Sequence, residues 1–296
     1  MIKLKLLGCN GGIGGARRTT CYALDESVLI DAGTGLTSLS LEEMARVDHV
    51  VLTHAHFDHL ASLPLLMDSV IDLRKGPIQV WAPQRVIEIV ANHIFNNQIW
   101  PDFTSIPSIA HPFAKLNAIP ENQTFDIGGF KFSTLAANHG IPACGYRVEK
   151  DGAVLAFSGD TADCPDFWEA IHSDDELAGV IVECSYSRRM HELALMSMHM
   201  DVDMVIKELS QLRSDVAGVI VHRKPGLEDE IESELRAALP NRDVRFPMSG
   251  DEYLFKTKYD IFSYDVTALI DPTPTLQSIV GRNALRPTQN TACEIL

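Results

Sequence analysis

The sequence predicts an α/β fold of the αββα kind: two facing mixed β-sheets with helices on the outside. Short apolar runs of strand length, bounded by Gly, Asp, Asn and Pro, recur along the chain. They form a β-rich section followed by strand–helix alternation, and that order then repeats, the pattern of two sheets that bury one face against each other. The densest group of metal-binding residue types stands directly after one apolar run, where a layered fold presents its loops.

Residues 2–7 read as the first strand and lead into Gly8-Cys9-Asn10-Gly11-Gly12-Ile13-Gly14-Gly15, a glycine-rich loop. Apolar runs at 20–24 and 28–31, parted by Asp25-Glu26, predict two antiparallel strands and a turn. A helix near 37–46, a buried strand at 48–52, a helix over 59–68, a strand at 78–82 and a helix over 84–98 follow. From Trp100 to Ala118 the chain is rich in Pro, Ser, Asp and Phe and reads as a surface loop able to cover a site. Phe95, Trp100, Phe103 and Phe113 are candidates for an apolar substrate pocket there. Strands near 122–126, 130–137, 145–149 and 153–157 turn at Gly128-Gly129 and Asp151-Gly152. Further strands at 179–183, 218–221 and 243–246 alternate with helices near 166–172, 202–213 and 227–238. One catalytic domain is expected over 1–270. The tail 271–296 has little periodicity, and both disorder and contact with a second subunit of a homodimer are open for it.

The 296 residues are 46% hydrophobic and 22% charged, a globular balance that excludes disorder of the whole chain. The amino terminus is too short in apolar residues for a signal-peptide core, and no run is long enough to span a bilayer, so a cytoplasmic protein without membrane contact is expected. Cys9, Cys21, Cys144, Cys164, Cys184 and Cys293 are scattered without CxxC pairs and read as reduced thiols. A formal net charge of −15 without a Lys/Arg-rich stripe disfavours large nucleic acids as partners and leaves a small phosphate ester held by metal ions.

His54, His56, Asp58 and His59 offer four ligands within six residues, on the loop leaving the strand at 48–52. Imidazole nitrogen and carboxylate oxygen suit Zn²⁺ first, and Mn²⁺ or Fe²⁺ as well, whereas Ca²⁺ and Mg²⁺ favour oxygen alone. One ion rarely takes four ligands from so short a loop without strain, so two divalent metal ions are expected.

Thr53-His-Ala-His-Phe-Asp-His-Leu60 resembles the HxHxDH signature of the metallo-β-lactamase superfamily, and the resemblance extends over most of the chain. It implies the metallo-β-lactamase fold and three more ligands: His139 in Ala-Asn-His-Gly-Ile-Pro, Asp160 in Phe-Ser-Gly-Asp-Thr, and His222 in Val-Ile-Val-His-Arg-Lys-Pro. By that resemblance His54, His56 and His139 hold one metal, Asp58, His59 and His222 hold the other, and Asp160 bridges. Each added residue lies just beyond a predicted strand, so all can reach one rim of the sandwich. His49, His93, His111, His172 and His191 lack such a setting and read as core or surface residues.

Glu183-Cys-Ser-Tyr and Met198-His199-Met-Asp201 resemble the Glu…His pair of the phosphodiesterase branch, seen in tRNase Z and in the class II cyclic-nucleotide phosphodiesterases. Gly8-Cys-Asn-Gly-Gly and Leu29-Ile-Asp-Ala-Gly33-Thr resemble the class II enzymes too. The catalytic residues so implied are Asp58, His199 as general acid, and Glu183 as the group that orients it. Asp201 departs from the pattern, which has Thr or Ser at that place. The implied reaction is hydrolysis of a small phosphodiester, foremost a 3′,5′-cyclic nucleotide to its 5′-monophosphate, by a hydroxide shared between two cations. A tRNase Z-like RNA phosphodiesterase would use the same constellation, and a non-hydrolytic diiron protein that binds or senses oxygen is the reading from another class. Lactonase, thioesterase and β-lactamase activities would leave Glu183 and His199 without a task.

Overall fold

Alternation sets the first strand: in β1 (Ile2–Gly8) Ile2, Leu4 and Leu6 are buried, while Lys3 is exposed and Lys5 half-buried, so one face of the strand meets the core. The computed structural model describes residues 1–120 and 123–257. After β1 come β2 (Cys21–Leu24), β3 (Val28–Ile30), α1 (Leu41–Arg46), β4 (His49–Val51), α2 (Phe57–Leu60), α3 (Leu63–Ser69), β5 (Ile78–Pro83) and α4 (Gln84–His93). A two-stranded hairpin, β6 (Pro107–Ser108) and β7 (His111–Pro112), precedes β8 (Ala114–Ile119). The second half holds β9 (Thr124–Ile127), β10 (Phe130–Leu135), β11 (Gly145–Lys150), β12 (Ala153–Phe157), α5 (Pro165–His172), β13 (Leu177–Glu183), α6 (His191–Ser197), α7 (Val202–Leu209), β14 (Ala217–Val221), α8 (Glu228–Ala238), β15 (Val244–Arg245) and β16 (Glu252–Phe255).

Two seven-stranded mixed sheets result, ordered β16-β1-β2-β3-β4-β5-β8 and β15-β14-β13-β12-β11-β10-β9. Between them Leu4, Leu6, Tyr22, Phe132, Tyr146, Phe157 and Val219 form the central core. A second core joins the first sheet to α3 and α4 through Leu63, Leu66, Val86 and Val90, and a third joins the second sheet to α5, α7 and α8. This is the predicted αββα sandwich. The amphipathic spacing of α7 explains its seat: Val202, Val205 and Leu209 are buried at helical intervals, whereas Asp203 and Lys207 face water.

Four strands escaped the sequence reading: the short β6 and β7 of the hairpin, β8 and β16. β8 falls inside the segment expected to be a surface loop, because as an edge strand it buries only Ala114 and Ile119 fully and shows no clean alternation. β16 closes the other edge by pairing with β1, Ile2 opposite Phe255. The five described cysteines are free and buried. Among the described residues no helix is long and apolar enough to cross a membrane. The expectations for 271–296, and Cys293, lie outside the described residues.

Candidate metal centre

Parallel pairing gathers the site. β12, β13 and β14 run parallel, β10 shares their direction through the antiparallel β11, and β4 is parallel to its neighbours β3 and β5. Asp160 follows β12, Glu183 ends β13 and His222 follows β14, while His139 follows β10 and His54, His56, Asp58 and His59 follow β4. Tight backbone crossing holds the loops together: a Cβ on Gly33 would stand 2.1 Å from the Asp58 carbonyl oxygen. Asp31, Met198 and His222 adopt left-handed φ of 57°, 55° and 57°, half of the six described non-glycine residues that do so. Such backbone costs on the order of 1–3 kcal/mol per residue and persists where the surroundings impose it.

Two groups of ligand-type atoms form, each with its members within 4.8 Å: His54, His56, His139 and Asp160, and Asp58, His59, Asp160 and His222. Asp160 belongs to both. Its Oδ2 lies 3.7 Å from His54 Nε2, 3.3 Å from His59 Nε2 and 3.2 Å from His222 Nε2. His56 Nδ1 stands 3.2 Å from both His54 Nε2 and His139 Nε2.

The outward-facing nitrogens decide which tautomers are present. His139 Nδ1 is 3.0 Å from the Met198 carbonyl and His59 Nδ1 is 2.7 Å from Asp31 Oδ2; both partners only accept, so both Nδ1 atoms carry hydrogen. The Thr53 hydroxyl donates to Asp31 (2.8 Å) and therefore accepts from His54 Nδ1 (3.0 Å). The Ser185 hydroxyl donates to Glu183 Oε2 (2.7 Å) and accepts from His222 Nδ1 (3.0 Å). Four Nε2 lone pairs are thereby turned inward, and His59 Nε2 is buried without a hydrogen-bond partner. Facing lone pairs and carboxylates at these separations repel or attract according to what lies between them, and divalent cations with nitrogen and oxygen preference fit this donor set.

Electrostatics divide the set: Asp160 and Asp31 outweigh burial and hold His59 well above the usual imidazole range, so its inward lone pair is exposed only when a cation takes the place of the proton. Burial keeps His54 well below the usual imidazole range, and burial together with His139 lowers His56, so both are neutral donors. Burial would raise Asp58 and Asp160, but the imidazoles around them outweigh it: His222 and His59 hold Asp58 down, and His222, His59 and His54 hold Asp160 far down.

Beside the second group, His199 Nδ1 lies 2.8 Å from Glu183 Oε1, and its ring stacks on His222 with centroids 5.2 Å apart and an interplanar angle of 19°. Glu183 is fully buried and accepts also from Thr161 N (2.8 Å) and the Ser185 hydroxyl. Burial would lower the pKa of His199, but Glu183 and Asp160 outweigh it and raise it. Asp201 has a structural explanation: its carboxylate caps α7 by accepting from Met204 N (3.0 Å), a task Thr or Ser also performs, and its second oxygen meets His191 Nδ1 at 2.5 Å.

All nine residues singled out beforehand thus meet on one rim. Sequence reasoning missed Asp31, Thr53 and Ser185, which orient the imidazoles from behind; the signal for Asp31 was a lone carboxylate ending the apolar run Val28–Ile30. The aromatic segment does not form the expected pocket: Phe95 and Phe103 are buried in the core behind the first sheet, and Phe113 packs on Phe103 with centroids 6.1 Å apart. Aromatic side chains of this size contribute more to helix–sheet packing than loop composition suggests.

A family model described as "Beta-lactamase superfamily domain" matches residues 26–222, about two thirds of the chain. Endoribonuclease ysh1 of Schizosaccharomyces pombe is 26% identical over 170 residues, covering 51% of this chain and 22% of that protein. Ribonuclease Z of Clostridium kluyveri is 27% identical over 158 residues, covering 50% of this chain and 49% of the relative. The matched part is therefore about a fifth of the one and half of the other. Unliganded yeast PDE1 superposes with a TM-score of 0.72 at 18% identity, covering 86% of this chain and 99% of PDE1, a likeness of fold. These relatives overturn the expectation that large nucleic acids are disfavoured, since proteins named as ribonucleases share this stretch of sequence. Net charge is a sum over the whole surface and does not describe the potential at one site.

Proposed function

We propose, from the premise that this chain belongs to the metallo-β-lactamase superfamily, that it is a dinuclear-metal phosphodiesterase whose substrate is a 3′,5′-cyclic nucleotide, opened to the 5′-monophosphate. The observation that carries the reading is the buried Glu183–His199 pair set against the two ligand groups, an arrangement that hydrolysis of a carboxylic ester would leave idle. We assign the catalytic domain to 1–270.

In this reading His54, His56 and His139 hold one divalent cation, Asp58, His59 and His222 the other, and Asp160 both; Zn²⁺ is the first assignment, and Mn²⁺ and Fe²⁺ suit the same donors. Cations held there would supply Lewis acidity toward water and toward the phosphoryl oxygens. Asp58, held ionised, would serve the second ion together with His222, whose Nε2 lies 3.2 Å from Asp58 Oδ2. Glu183 holds the Nδ1–H of His199, so the transferable proton sits on Nε2, and the raised pKa keeps that proton available at neutral pH. The proton passes to the departing ribose oxygen as the P–O bond breaks, and water supplies the new oxygen on phosphorus.

A second reading, cleavage of RNA, is favoured by the names of the relatives. The deciding experiment loads metal-free protein separately with Zn²⁺, Mn²⁺ and Fe²⁺ and assays bis(p-nitrophenyl) phosphate, cyclic AMP, cyclic GMP and a precursor tRNA. Diester cleavage lost in Asp58→Ala and strongly reduced in His199→Ala is expected, with cyclic nucleotides the better natural substrates. Preference for the RNA establishes the second reading; two bound metals without diesterase activity under any loading refute both.

A further inference from the structure

At the rim opposite the metal centre lies a cavity of about 300 Å³ whose wall includes Arg74, Lys75, His111, Phe113 and Lys115 and no carboxylate. In a chain of net charge −15 such a lining is out of proportion to the composition. Its place follows from strand direction: residues 74–77 enter β5 and residues 111–115 enter β8, and both strands run parallel to β4, whose far end carries the metal ligands. A six-residue strand rises roughly 3.3 Å per residue, so about 20 Å separates the cavity from the metal centre.

Two of the three Lys/Arg cations are not spent on neighbours. Lys75 and Lys115 make no ion pair and no side-chain hydrogen bond among the described residues. Arg74 is anchored, its side chain only 7% exposed, with Nη2 on Asp48 Oδ1 at 2.7 Å and Nη1 on the Ala45 carbonyl at 2.5 Å. Its buried Nε has no acceptor. Pro107 and Pro112, paired across the β6–β7 hairpin, and the partly buried ring of Phe113 supply an apolar wall beside these charges. A fixed guanidinium, two exposed lysines and an apolar wall match a ligand that is dianionic at one end and flat or apolar at the other. The volume sits at the lower end of small-molecule sites.

We propose that this cavity is a second, non-catalytic binding site for an organic phosphate of mononucleotide size, its phosphate between Lys75 and Lys115 and its apolar body against Phe113. The site stands apart from the metal centre and does not depend on the activity assigned there.

Pyridoxal 5′-phosphate, an aromatic phosphate whose aldehyde condenses with a lysine amine to an imine and water, tests it on the full metal-loaded chain. Borohydride reduction and peptide mass spectrometry then locate the label. Lys75 and Lys115 are expected to be labelled several-fold above the surface lysines Lys3, Lys131 and Lys207, and 5′-AMP but not adenosine should suppress that labelling. The Lys75→Glu, Lys115→Glu protein should lose the thermal stabilisation that 5′-AMP gives at this site while cleaving bis(p-nitrophenyl) phosphate at the wild-type rate. Uniform labelling overturns the site, as does protection confined to Lys224 beside the metal centre. Equal protection by inorganic phosphate and 5′-AMP overturns the apolar subsite. Labelling needs no turnover, so a failure of the phosphodiesterase reading shows separately in the diester assay.

Discussion

His199 and Glu183, sixteen residues apart, meet through a 2.8 Å Nδ1–Oε1 hydrogen bond in a buried setting where Glu183 has no contact with water. The pair has the form of a positioned acid. His199→Ala should lower kcat about 10²–10⁴-fold with metal content unchanged. The loss should be smaller for p-nitrophenyl esters, whose leaving group needs no proton, than for alkyl esters. Glu183 raises the pKa of His199, so Glu183→Gln should move the alkaline limb of the pH–rate profile to lower pH. An unmoved limb would assign Glu183 a structural role alone.

Asp31 touches no inward-facing atom, yet it receives Thr53 N, the Thr53 hydroxyl and His59 Nδ1. Asp31→Asn offers an amide where a carboxylate fixed the His59 tautomer, and should weaken metal binding roughly 10–100-fold. Chelator competition with metal analysis reads this directly. For the wild type, free metal at a hundred times Kd should add about 2.7 kcal/mol of stability that chelation removes.

Asp201 caps α7 and pairs with His191 at once. Asp201→Ala should cost about 1 kcal/mol, within a range of 0.5–2, from loss of the cap, and Asp201→Ser should recover most of it. Asp201 raises the pKa of His191 above its unfolded value of about 6.5. The contribution of that contact is therefore complete below the unfolded pKa and fades as pH rises through the folded one. Denaturant titrations of wild type and Asp201→Ser should converge across that interval, and a constant difference would count against the pairing.

Lys224 is pinned by its backbone N to the Ser185 carbonyl (3.3 Å), and its charge acts on His199 through space; no carboxylate pairs with it among the described residues. Arg17 and Arg189, by contrast, are each matched with a glutamate. Lys224→Ala should raise KM for anionic diesters several-fold and reduce its dependence on salt, with little change in metal content. Unchanged KM would remove Lys224 from substrate binding.

Much of this was legible in the chain because it depends on local order. Apolar periodicity marks β1, β4, β12 and β14 and places the residues that follow them near the rim; the HxHxDH cluster after β4 is legible as it stands, whereas Asp160 and His222 were named from the family resemblance, with which their strand-end positions agree. β8 and β16 were not legible, since an edge strand answers to the neighbour it pairs with and its own pattern is weak. The aromatics at 95–113 were misread because a ring in an irregular segment gives no sign of which layer it will enter.

By itself the sequence determined the layered α/β architecture, the family and the residue types able to hold two cations, all properties carried by short-range patterns. Only the tertiary structure decided which nitrogen of each imidazole faces inward, that Asp31, Thr53 and Ser185 set those tautomers, that Asp201 meets His191, and that Lys75 and Lys115 share a cavity. Those outcomes depend on atoms brought within 3 Å or so from distant parts of the chain, and hydrogen bonds fall off too steeply with distance and angle for sequence spacing to specify them.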